Sequence, residues 1–424
     1  GFLHHIHYQP KNEEAEIFVH AMRTKGNESV YSEFEKLMQE NRYQQAAELL
    51  REKKGTSALL RNMDYIISRM DREDEQTFLS EFPEDCSTLI LLQLLFRYEG
   101  VQRKDERIFK FTQHNLMKVH YETPEESKKC QSRLTEEQVK EVGKMIRSKL
   151  SEKLRNRLGK VYIEPSMKNY TLPLAENTSQ GGLGVLSKGS RISIDEGKKL
   201  RAFTYWEKVN DIDLSVFALT EDGNRREFSW RTMSRHQSGA ITYSGDETSG
   251  YLGGSEYFDI NLPEFKARYS EYRYLIFCDN VYSGKNFNKC FCKAGYMLRD
   301  WDDSGQVYEP KTVKSAYLVN CESTFAYLFG IDLFTNEFVW LNVAKNSKSR
   351  VAGDTNLSFL TDYFHLTDVM NMYDFFSMMA EKIVEDPMEA DVVVTDHEVK
   401  CTEEAQIIKE YDFEKFRMLM EDAK

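Results

Sequence analysis

Asn210-Asp211-Ile212-Asp213-Leu214-Ser215 opens the most informative part of this 424-residue chain. Side chains alternate between the two faces of an extended strand, so Asp211, Asp213 and Ser215 share one face. The apolar residues between them share the opposite face. The pattern predicts a strand that is apolar on one side and presents two carboxylates on the other.

A second acidic segment follows in the same region. It reads Tyr243-Ser244-Gly245-Asp246-Glu247-Thr248-Ser249-Gly250, and Gly253-Gly254-Ser255-Glu256 comes shortly after. Glycine accepts positive φ angles, which allow backbone carbonyls to turn toward a common centre. A Ca²⁺ ion binds roughly 6 to 8 oxygens from carboxylates, carbonyls and water. The two segments together predict an oxygen-rich cation site, although any one acidic loop of this kind is more often a hairpin turn than a set of ligands.

Further segments extend the pattern on both sides of these acids. In chain order they are Ser187–Ile194, Tyr205–Glu207, Asp211–Ser215, Ser244–Asp246, Glu256, Tyr274–Phe277, Phe325, Ile331–Leu333 and Glu337–Leu341. In this order they resemble the TerD-like domain of tellurium-resistance and stress-response proteins. The helical region before them and the Glu385–Val393 segment after them resemble the longer bacterial TerD-like proteins, some of which carry an upstream RING-type finger.

The resemblance implies a β-sandwich that binds Ca²⁺ at its loop end. We expect one Ca²⁺ site formed by Asp211, Asp213, Asp246 and Glu256, with Glu247 and Glu207 as second-rank ligands. Calcium-binding TerD domains place consecutive acids after the glycines. This chain has Tyr251-Leu252-Gly253-Gly254-Ser255 there, so it departs from the family at one or both of the family's two calcium sites.

The whole chain reads as a multidomain α + β protein. Residues 1–160 carry apolar side chains three or four positions apart, typical of an N-terminal helical array resembling an α-solenoid. Residues 161–184 contain prolines and glycines and read as a linker. Short alternating runs over 185–350 predict a central TerD-like β-sandwich. Residues 351–424 predict a small C-terminal α/β appendage.

Individual elements follow from the same spacing. The expected helices include 57–70, 74–82, 87–98, 105–120, 135–158, 367–385 and 402–420, with a short strand over 391–395. The helix over 135–158 begins with a capping box, Thr135 with Gln138, and has a basic surface. Aromatic residues do not interleave with these charges, so we expect a solvated face, or one that pairs with acidic surface elsewhere, and no binding to nucleic acid.

Composition limits the classes of function. The net charge of -12 argues against general binding to nucleic acid or anionic membranes. The seven cysteines lack the paired spacing of a structural zinc site, which favours reduced thiols in a cytoplasmic protein. No apolar run approaches the ~18 to 20 residues of a membrane span, so no membrane insertion is expected. The chain begins at Gly1 without methionine, which is typical of a fragment.

Three interpretations of function remain open. The leading one is a calcium-binding and protein-interaction module of a bacterial stress (tellurite-type) response protein, with protein partners bound by the helical region. The second is an interaction scaffold with a degenerate metal site. The third is a hydrolase that uses carboxylates such as Asp211 and Asp246. Neither a G-x-S-x-G elbow nor a Cys-His signature is present, so no catalytic residue is predicted and a non-enzymatic role is expected.

Overall fold

The computed structural model of the protein describes residues 29–100, 108–113, 116–121, 134–174, 186–284, 286–301, 310–319, 323–345 and 357–420. The chain divides into two compact units. The first comprises Gly1–Cys86 with Ser132–Met145, and the second comprises Ser87–Gln131 with Ile146–Lys424. The content is mixed α and β, as the sequence predicts. The glycines of the expected linker, Gly181-Gly182-Leu183-Gly184, lie outside the described residues.

The α-helices in the described chain run in the following order. They are α1 Val30–Gln39, α2 Tyr43–Lys54, α3 Thr56–Ile67, α4 Arg72–Ser80, α5 Thr88–Glu99, α6 Glu136–Leu154, α7 Met233–His236, α8 Leu262–Arg268, α9 Leu366–Val369, α10 Met372–Met379 and α11 Phe413–Met420. The array expected over residues 1–160 is therefore divided, because α5 belongs to the second unit.

The β-strands likewise follow chain order. They are β1 Ile108–Gln113, β2 Leu116–Tyr121, β3 Leu158–Ile163, β4 Arg191–Ser193, β5 Lys199–Glu207, β6 Ile212–Leu219, β7 Arg225–Phe228, β8 Ile241–Tyr243, β9 Gly254–Ile260, β10 Tyr274–Val281, β11 Phe291–Arg299, β12 Val313–Leu318, β13 Phe325–Asp332, β14 Glu337–Lys345, β15 Ala380–Ile383, β16 Val392–Val394 and β17 Gln406–Ile408.

Amphipathic helices form the first unit. Their buried faces include Phe34 of α1, Leu50 of α2 and Met63 of α3. Side chains satisfy the free amides at the helix starts, where the Ser29 hydroxyl accepts from the Ser32 amide and Asp71 accepts from the amides of Glu73 and Asp74. The helices expected over 57–70 and 74–82 are confirmed as α3 and α4.

Helix α6 begins as the sequence predicts. The Thr135 amide donates to Gln138 Oε1 at 3.0 Å, and the Gln138 amide donates to Thr135 Oγ1 at 3.2 Å, which completes the capping box. The helix ends at Leu154, four residues before the expected end, because Leu158 begins strand β3. Three of its basic residues pair with acids, Lys144 with Glu141, Arg147 with Glu99 and Lys149 with Glu152.

The helix expected over 105–120 is wrong, because β1 and β2 form an antiparallel hairpin there. The segments Ile-Phe-Lys-Phe-Thr-Gln and Leu-Met-Lys-Val-His-Tyr are rich in aromatic and β-branched residues, which favour strands. Only two residues separate the strands, a length typical of a tight hairpin connection. These local preferences outweigh the helical spacing of a few apolar residues.

Two antiparallel sheets form the centre of the second unit. One has the strand order β4-β14-β13-β10-β6-β7, and the other has the order β12-β11-β5-β9-β8. Both contribute to one buried hydrophobic cluster. Leu214 and Phe277 enter it from the six-stranded sheet, and Trp206, Phe258 and Tyr296 enter it from the five-stranded sheet. This shared cluster fixes which side chains of each strand face inward.

The other face of the six-stranded sheet is also covered. Residues Ser358–His365 form a 3-10 helix, whose Leu360 and Phe364 pack with Phe217 and Ile276 of the sheet. Both faces of β6 are thus buried along most of its length. Polar side chains on this strand are therefore costly unless hydrogen bonds or a bound ion compensate for their desolvation.

A four-stranded sheet with the order β15-β3-β16-β17 is entirely parallel. It corrects the expected linker, because residues 161–163 lie in β3 and Pro165–Asn169 form a 3-10 helix. Strand β3 precedes the two antiparallel sheets in the chain, whereas its neighbours β15 and β16 follow them. The parallel sheet therefore joins segments that the sequence assigned to separate domains.

Two expected C-terminal helices are also shorter than predicted. The helix over 367–385 is replaced by α9, α10 and strand β15, because Ala380–Ile383 pair with β3. The helix over 402–420 retains only α11 at its end, because Gln406–Ile408 pair with β16. The strand expected over 391–395 is confirmed as β16. Pairing with distant strands decides these boundaries, and local periodicity does not contain that information.

Candidate cation site

Three aspartates meet at one end of the two-sheet core. Asp211 directly precedes β6, Asp213 lies in β6, and Asp246 lies in the loop between β8 and β9. One carboxylate oxygen from each lies within 4.8 Å of the others, so the three side chains could share one metal ion. We call these three residues the aspartate trio. Asp211 and Asp213 are buried, and Asp246 is exposed.

Strand alternation places Asp213 as the sequence predicts. Ile212, Leu214 and Val216 enter the hydrophobic cluster between the two sheets, so Asp213 lies on the opposite face of β6. The antiparallel register sets Asn280 of β10 directly opposite Asp213. The Asn280 amide group donates to Asp213 Oδ2 at 3.2 Å, which orients one carboxylate oxygen.

Backbone hydrogen bonds hold the Asp246 loop against the start of β6. The Gly250 amide donates to the Asn210 carbonyl at 2.8 Å, and the Lys208 amide donates to the Tyr251 carbonyl at 2.8 Å. At the other end of the loop, the Ser244 amide donates to the Tyr257 carbonyl at 3.0 Å. These contacts position Asp246 beside the two strand aspartates.

The glycines of this loop serve two different purposes. Gly245 and Gly253 have positive φ angles of 101° and 142°, as the sequence predicts. Gly250 and Gly254 do not have positive φ angles but lie against the indole ring of Trp206. An added Cβ would lie 2.6 Å from Trp206 Nε1 at Gly250 and 2.5 Å from Cε2 at Gly254, so both positions require glycine for close approach.

The electrostatics of the aspartate trio are unfavourable without a cation. Burial raises the pKa of Asp211 to about 7, and the negative charges of Asp213, Asp246 and Glu247 add to this effect. Burial also raises the pKa of Asp213 to about 6, although the Asn280 hydrogen bond acts in the opposite direction. The charges that shift these two groups all have the same sign, and the negative charge of Asp246 raises the pKa of both buried aspartates.

One oxygen of the trio lacks a partner. Asp211 is 6% exposed, and its Oδ1 atom is buried without a hydrogen-bond partner. Buried polar atoms normally form hydrogen bonds, because desolvation without compensation costs about 1–3 kcal/mol and more for charged groups. An unpartnered carboxylate oxygen within a cluster of carboxylates is the arrangement that a bound cation would satisfy.

Glu256, expected as a fourth ligand, is not in the trio. It faces inward from β9 and is fully buried. Its Oε2 accepts from the Leu214 amide at 2.8 Å, and its Oε1 accepts from the Glu247 amide at 3.1 Å. Burial raises its pKa to about 8 against the opposing effect of the Leu214 amide. Both carboxylate oxygens are thus committed to backbone amides.

The two second-rank residues also lie outside the trio. The Glu247 side chain accepts a hydrogen bond from the Ser249 amide at 2.7 Å, and its negative charge contributes to the raised pKa of Asp211. Glu207, at the end of β5, accepts from the Tyr205 hydroxyl at 2.8 Å. A concavity of about 440 Å³ opens between the Ser244–Glu247 loop and the start of β9, so Asp246 and Glu247 are accessible from solvent.

Sequence reasoning missed two neighbours of the site. Asp279 is fully buried on the inner face of β10, where the Thr204 hydroxyl lies 2.9 Å from each of its carboxylate oxygens. Burial raises its pKa well above the ordinary range. Asn280, beside it, holds Asp213. The sequence does contain a signal for them, because Asp279 and Asn280 directly follow the apolar run Tyr274–Cys278. Two polar residues at the end of a buried strand are costly to desolvate and therefore indicate specific polar contacts.

A second polar cluster lies at the carboxyl ends of the parallel strands. The Tyr162 hydroxyl donates to Glu164 at 2.7 Å, and His397 Nδ1 lies 2.8 Å from Asp396. Glu410, which follows β17, has a buried Oε2 atom without a partner, and burial raises its pKa to about 7. Open parallel sheets bind ligands at this edge, yet among the described residues only the aspartate trio has metal-ligand spacing.

The chemistry of the trio favours hard cations. All its side-chain donors are carboxylate oxygens, which suit Ca²⁺, Mg²⁺ and Mn²⁺, whereas zinc sites usually include cysteine or histidine. Three carboxylates supply as many as six oxygens, and loop carbonyls could add more.

Comparisons with family models, curated proteins and solved structures found no match for this chain. Within the described part of the chain, every helix is too short or too polar to traverse a lipid bilayer.

Proposed function

We propose that the two antiparallel sheets form a TerD-like β-sandwich that binds a divalent cation, Ca²⁺ by preference, at Asp211, Asp213 and Asp246. The observation that carries this proposal is the buried, unpartnered Oδ1 of Asp211 among carboxylates whose charges oppose one another. A divalent cation removes both penalties at once, because it partners the oxygen and neutralises the repulsion.

Protons and cations compete for this site. Without a cation, the raised pKa values of Asp211 and Asp213 mean that protons relieve part of the repulsion near neutral pH. A cation replaces these protons, so its binding tightens as pH rises and releases protons to solvent. In this proposal the protein is a cation-responsive interaction module of a bacterial stress response, as the sequence resemblance implies. The helices of the first unit would then bind a protein partner.

A calcium titration of the full chain tests the proposal. Binding to the native state alone stabilises it by about 2.7 kcal/mol at a hundredfold excess of ligand over Kd, so thermal unfolding in Ca²⁺ should shift upward relative to EDTA. Asp213→Asn should abolish this shift. Because the substitution removes one of the repelling charges, the cation-free variant should unfold no earlier than the parent.

Asp222→Asn provides the matched control. Asp222 is exposed in the turn after β6, at the opposite end of the strand from Asp213, and the substitution changes the net charge by the same amount. This variant should keep the full calcium response. Loss of the response in both variants would indicate an effect of net charge, and a full response in Asp213→Asn would place the cation elsewhere.

Two other functions have support in particular observations. Glu256 accepts from two backbone amides, so only three carboxylates remain for a cation at this site. If calcium has no effect on the protein, this smaller ligand set favours an interaction scaffold with a degenerate metal site. The pKa of Asp211, about 7, suits a general base, which favours a carboxylate hydrolase. Turnover of generic ester or phosphate substrates that is lost in Asp211→Asn would support the hydrolase.

A further inference from the structure

We infer that the loop end carrying the aspartate trio docks onto anionic phospholipid membranes when a divalent cation is bound. This inference rests on the proposed cation site and names the partner of that site. Its starting point is a group of exposed apolar side chains beside the acids. Leu252 is 93% exposed, Tyr251 is 56% exposed and Tyr282 is 51% exposed. We call these three residues the apolar rim.

Backbone hydrogen bonds tie the apolar rim to the aspartate trio. The Tyr282 amide donates to the carbonyl of Asp211 at 3.2 Å. Tyr251 and Leu252 directly follow Gly250, whose amide donates to the carbonyl of Asn210. The rim and the trio therefore lie on the same end of the two-sheet core, and the rim projects from backbone that the fold already holds in place.

The apolar rim has the composition of a membrane-contacting surface. Leucine and tyrosine side chains partition into the boundary between headgroups and acyl chains, and the binding strength follows the apolar area and the attraction to anionic lipids. Leu252 lies in the loop that carries Asp246 and is not part of the hydrophobic cluster between the sheets. Lys208, exposed beside Tyr251, adds a positive charge at the same end.

Charge makes docking conditional on the cation. The net charge of -12 and the aspartate trio repel anionic headgroups when no cation is bound. A divalent cation at the trio would cancel two of its three negative charges and would still accept headgroup phosphate or carboxylate oxygens, because Ca²⁺ binds roughly 6 to 8 oxygens and the trio brings one oxygen from each aspartate together. The structure thus combines an anion-accepting centre with an apolar contact surface.

Vesicle flotation with the full chain tests this inference. The vesicles contain phosphatidylcholine with or without phosphatidylserine, and each is measured in Ca²⁺ and in EDTA. We expect the protein to float only with phosphatidylserine vesicles in Ca²⁺. The double variant Tyr251→Ser/Leu252→Ser should weaken vesicle binding by about tenfold or more, because it removes most of the apolar contact, and should keep the Ca²⁺-induced thermal shift.

Phe334→Ser provides the matched control. Phe334 is 78% exposed, but it follows β13 at the end where Asp332 pairs with Tyr274, opposite to the end where Asn280 pairs with Asp213. It should float like the parent. Docking is overturned if the parent shows the thermal shift but stays unbound, if the rim variant floats like the parent, or if Ca²⁺ instead produces dimers without vesicles. Absence of both the thermal shift and flotation overturns the cation site together with docking.

Discussion

The carboxylate of Glu256 in the five-stranded sheet accepts a hydrogen bond from the amide of Leu214 in the six-stranded sheet at 2.8 Å. Among the described strands, β7 pairs only with Val216–Leu219 and no other strand borders the first half of β6 on that side. Glu256 supplies the missing acceptor and also accepts from the Glu247 amide. A residue that resembles a metal ligand in sequence therefore joins the two sheets and fixes the Asp246 loop.

Replacing Glu256 should reduce stability more than calcium affinity. Glu256→Ala leaves the buried Leu214 amide and the partly buried Glu247 amide without acceptors, which should lower the free energy of unfolding by roughly 1–3 kcal/mol for Leu214 and by less for Glu247. Glu256→Gln keeps one carbonyl acceptor and should cost less. Thermal unfolding in EDTA and in Ca²⁺ measures both quantities. If Glu256→Gln unfolds like the parent in EDTA but loses the calcium shift, Glu256 is a ligand after all.

Acidification should stabilise the cation-free protein. The folded-state pKa values of Asp211 and Asp213, about 7 and about 6, lie above their ordinary values, so the native state binds more protons than the unfolded state between about pH 4 and pH 7. The free energy of unfolding contributed by these groups therefore falls as pH rises through that window. Denaturation in EDTA at pH 5 and pH 7.5 measures it.

The Asp211→Asn/Asp213→Asn double variant isolates this contribution. Asparagine does not titrate, so the difference between pH 5 and pH 7.5 should be smaller in the variant than in the parent. Saturating Ca²⁺ should also reduce the difference in the parent, because the bound cation favours the charged carboxylates. An equal pH dependence in parent and variant would show that other groups dominate.

A methyl group at Gly254 should disturb the cation site through Trp206. The added Cβ would lie 2.5 Å from the indole ring, so Gly254→Ala must displace the ring or the loop, at roughly 1–3 kcal/mol by analogy with overpacked cores. Calcium affinity should weaken because the loop carries Asp246. Calorimetric titration and thermal unfolding test both effects.

A double-mutant cycle with Trp206→Phe gives the control. The smaller ring leaves room for the methyl group, so Gly254→Ala should cost less in the Trp206→Phe background than in the parent. Equal costs in the two backgrounds would exclude a steric conflict with the indole ring and point to the backbone of β9.

Glu410→Gln should stabilise the protein at alkaline pH. The pKa of Glu410, raised to about 7 by burial, makes the native state bind a proton that the unfolded state releases above about pH 4.5. Its contribution to stability is therefore lost as pH rises to about 7. The neutral amide avoids this loss, so the variant should exceed the parent at pH 8 and match it at pH 5 in urea denaturation.

Glu414→Gln, at an exposed position of α11, provides the comparison for that measurement. It should change stability little at either pH, because exposed charges are well solvated. An identical gain in both variants at pH 8 would indicate relief of the chain's net negative charge and not the burial of Glu410.

The local sequence alone determined the two faces of strand β6 and the start of helix α6, because both depend on interactions between residues that are close in the chain. The alternation of Asp211, Ile212, Asp213 and Leu214 set the two faces of β6, and Thr135 with Gln138 set the start of α6. These signals depend on one strand or one helical turn, where sterics and capping act between near neighbours. The sequence could therefore indicate an acidic strand and an acidic loop.

Only the tertiary structure decided which acids meet. The register of β6 against β10 brought Asn280 to Asp213, and the contact of Gly254 with Trp206 positioned the Asp246 loop. The Leu214 amide, in the half of β6 that lacks a second partner among the described strands, took up Glu256 as its acceptor. Strand β3 likewise paired with β15 and β16, which follow it far along the chain. Periodicity within a segment fixes its faces, but its partners depend on long-range pairing and on which buried polar atoms still need a hydrogen bond.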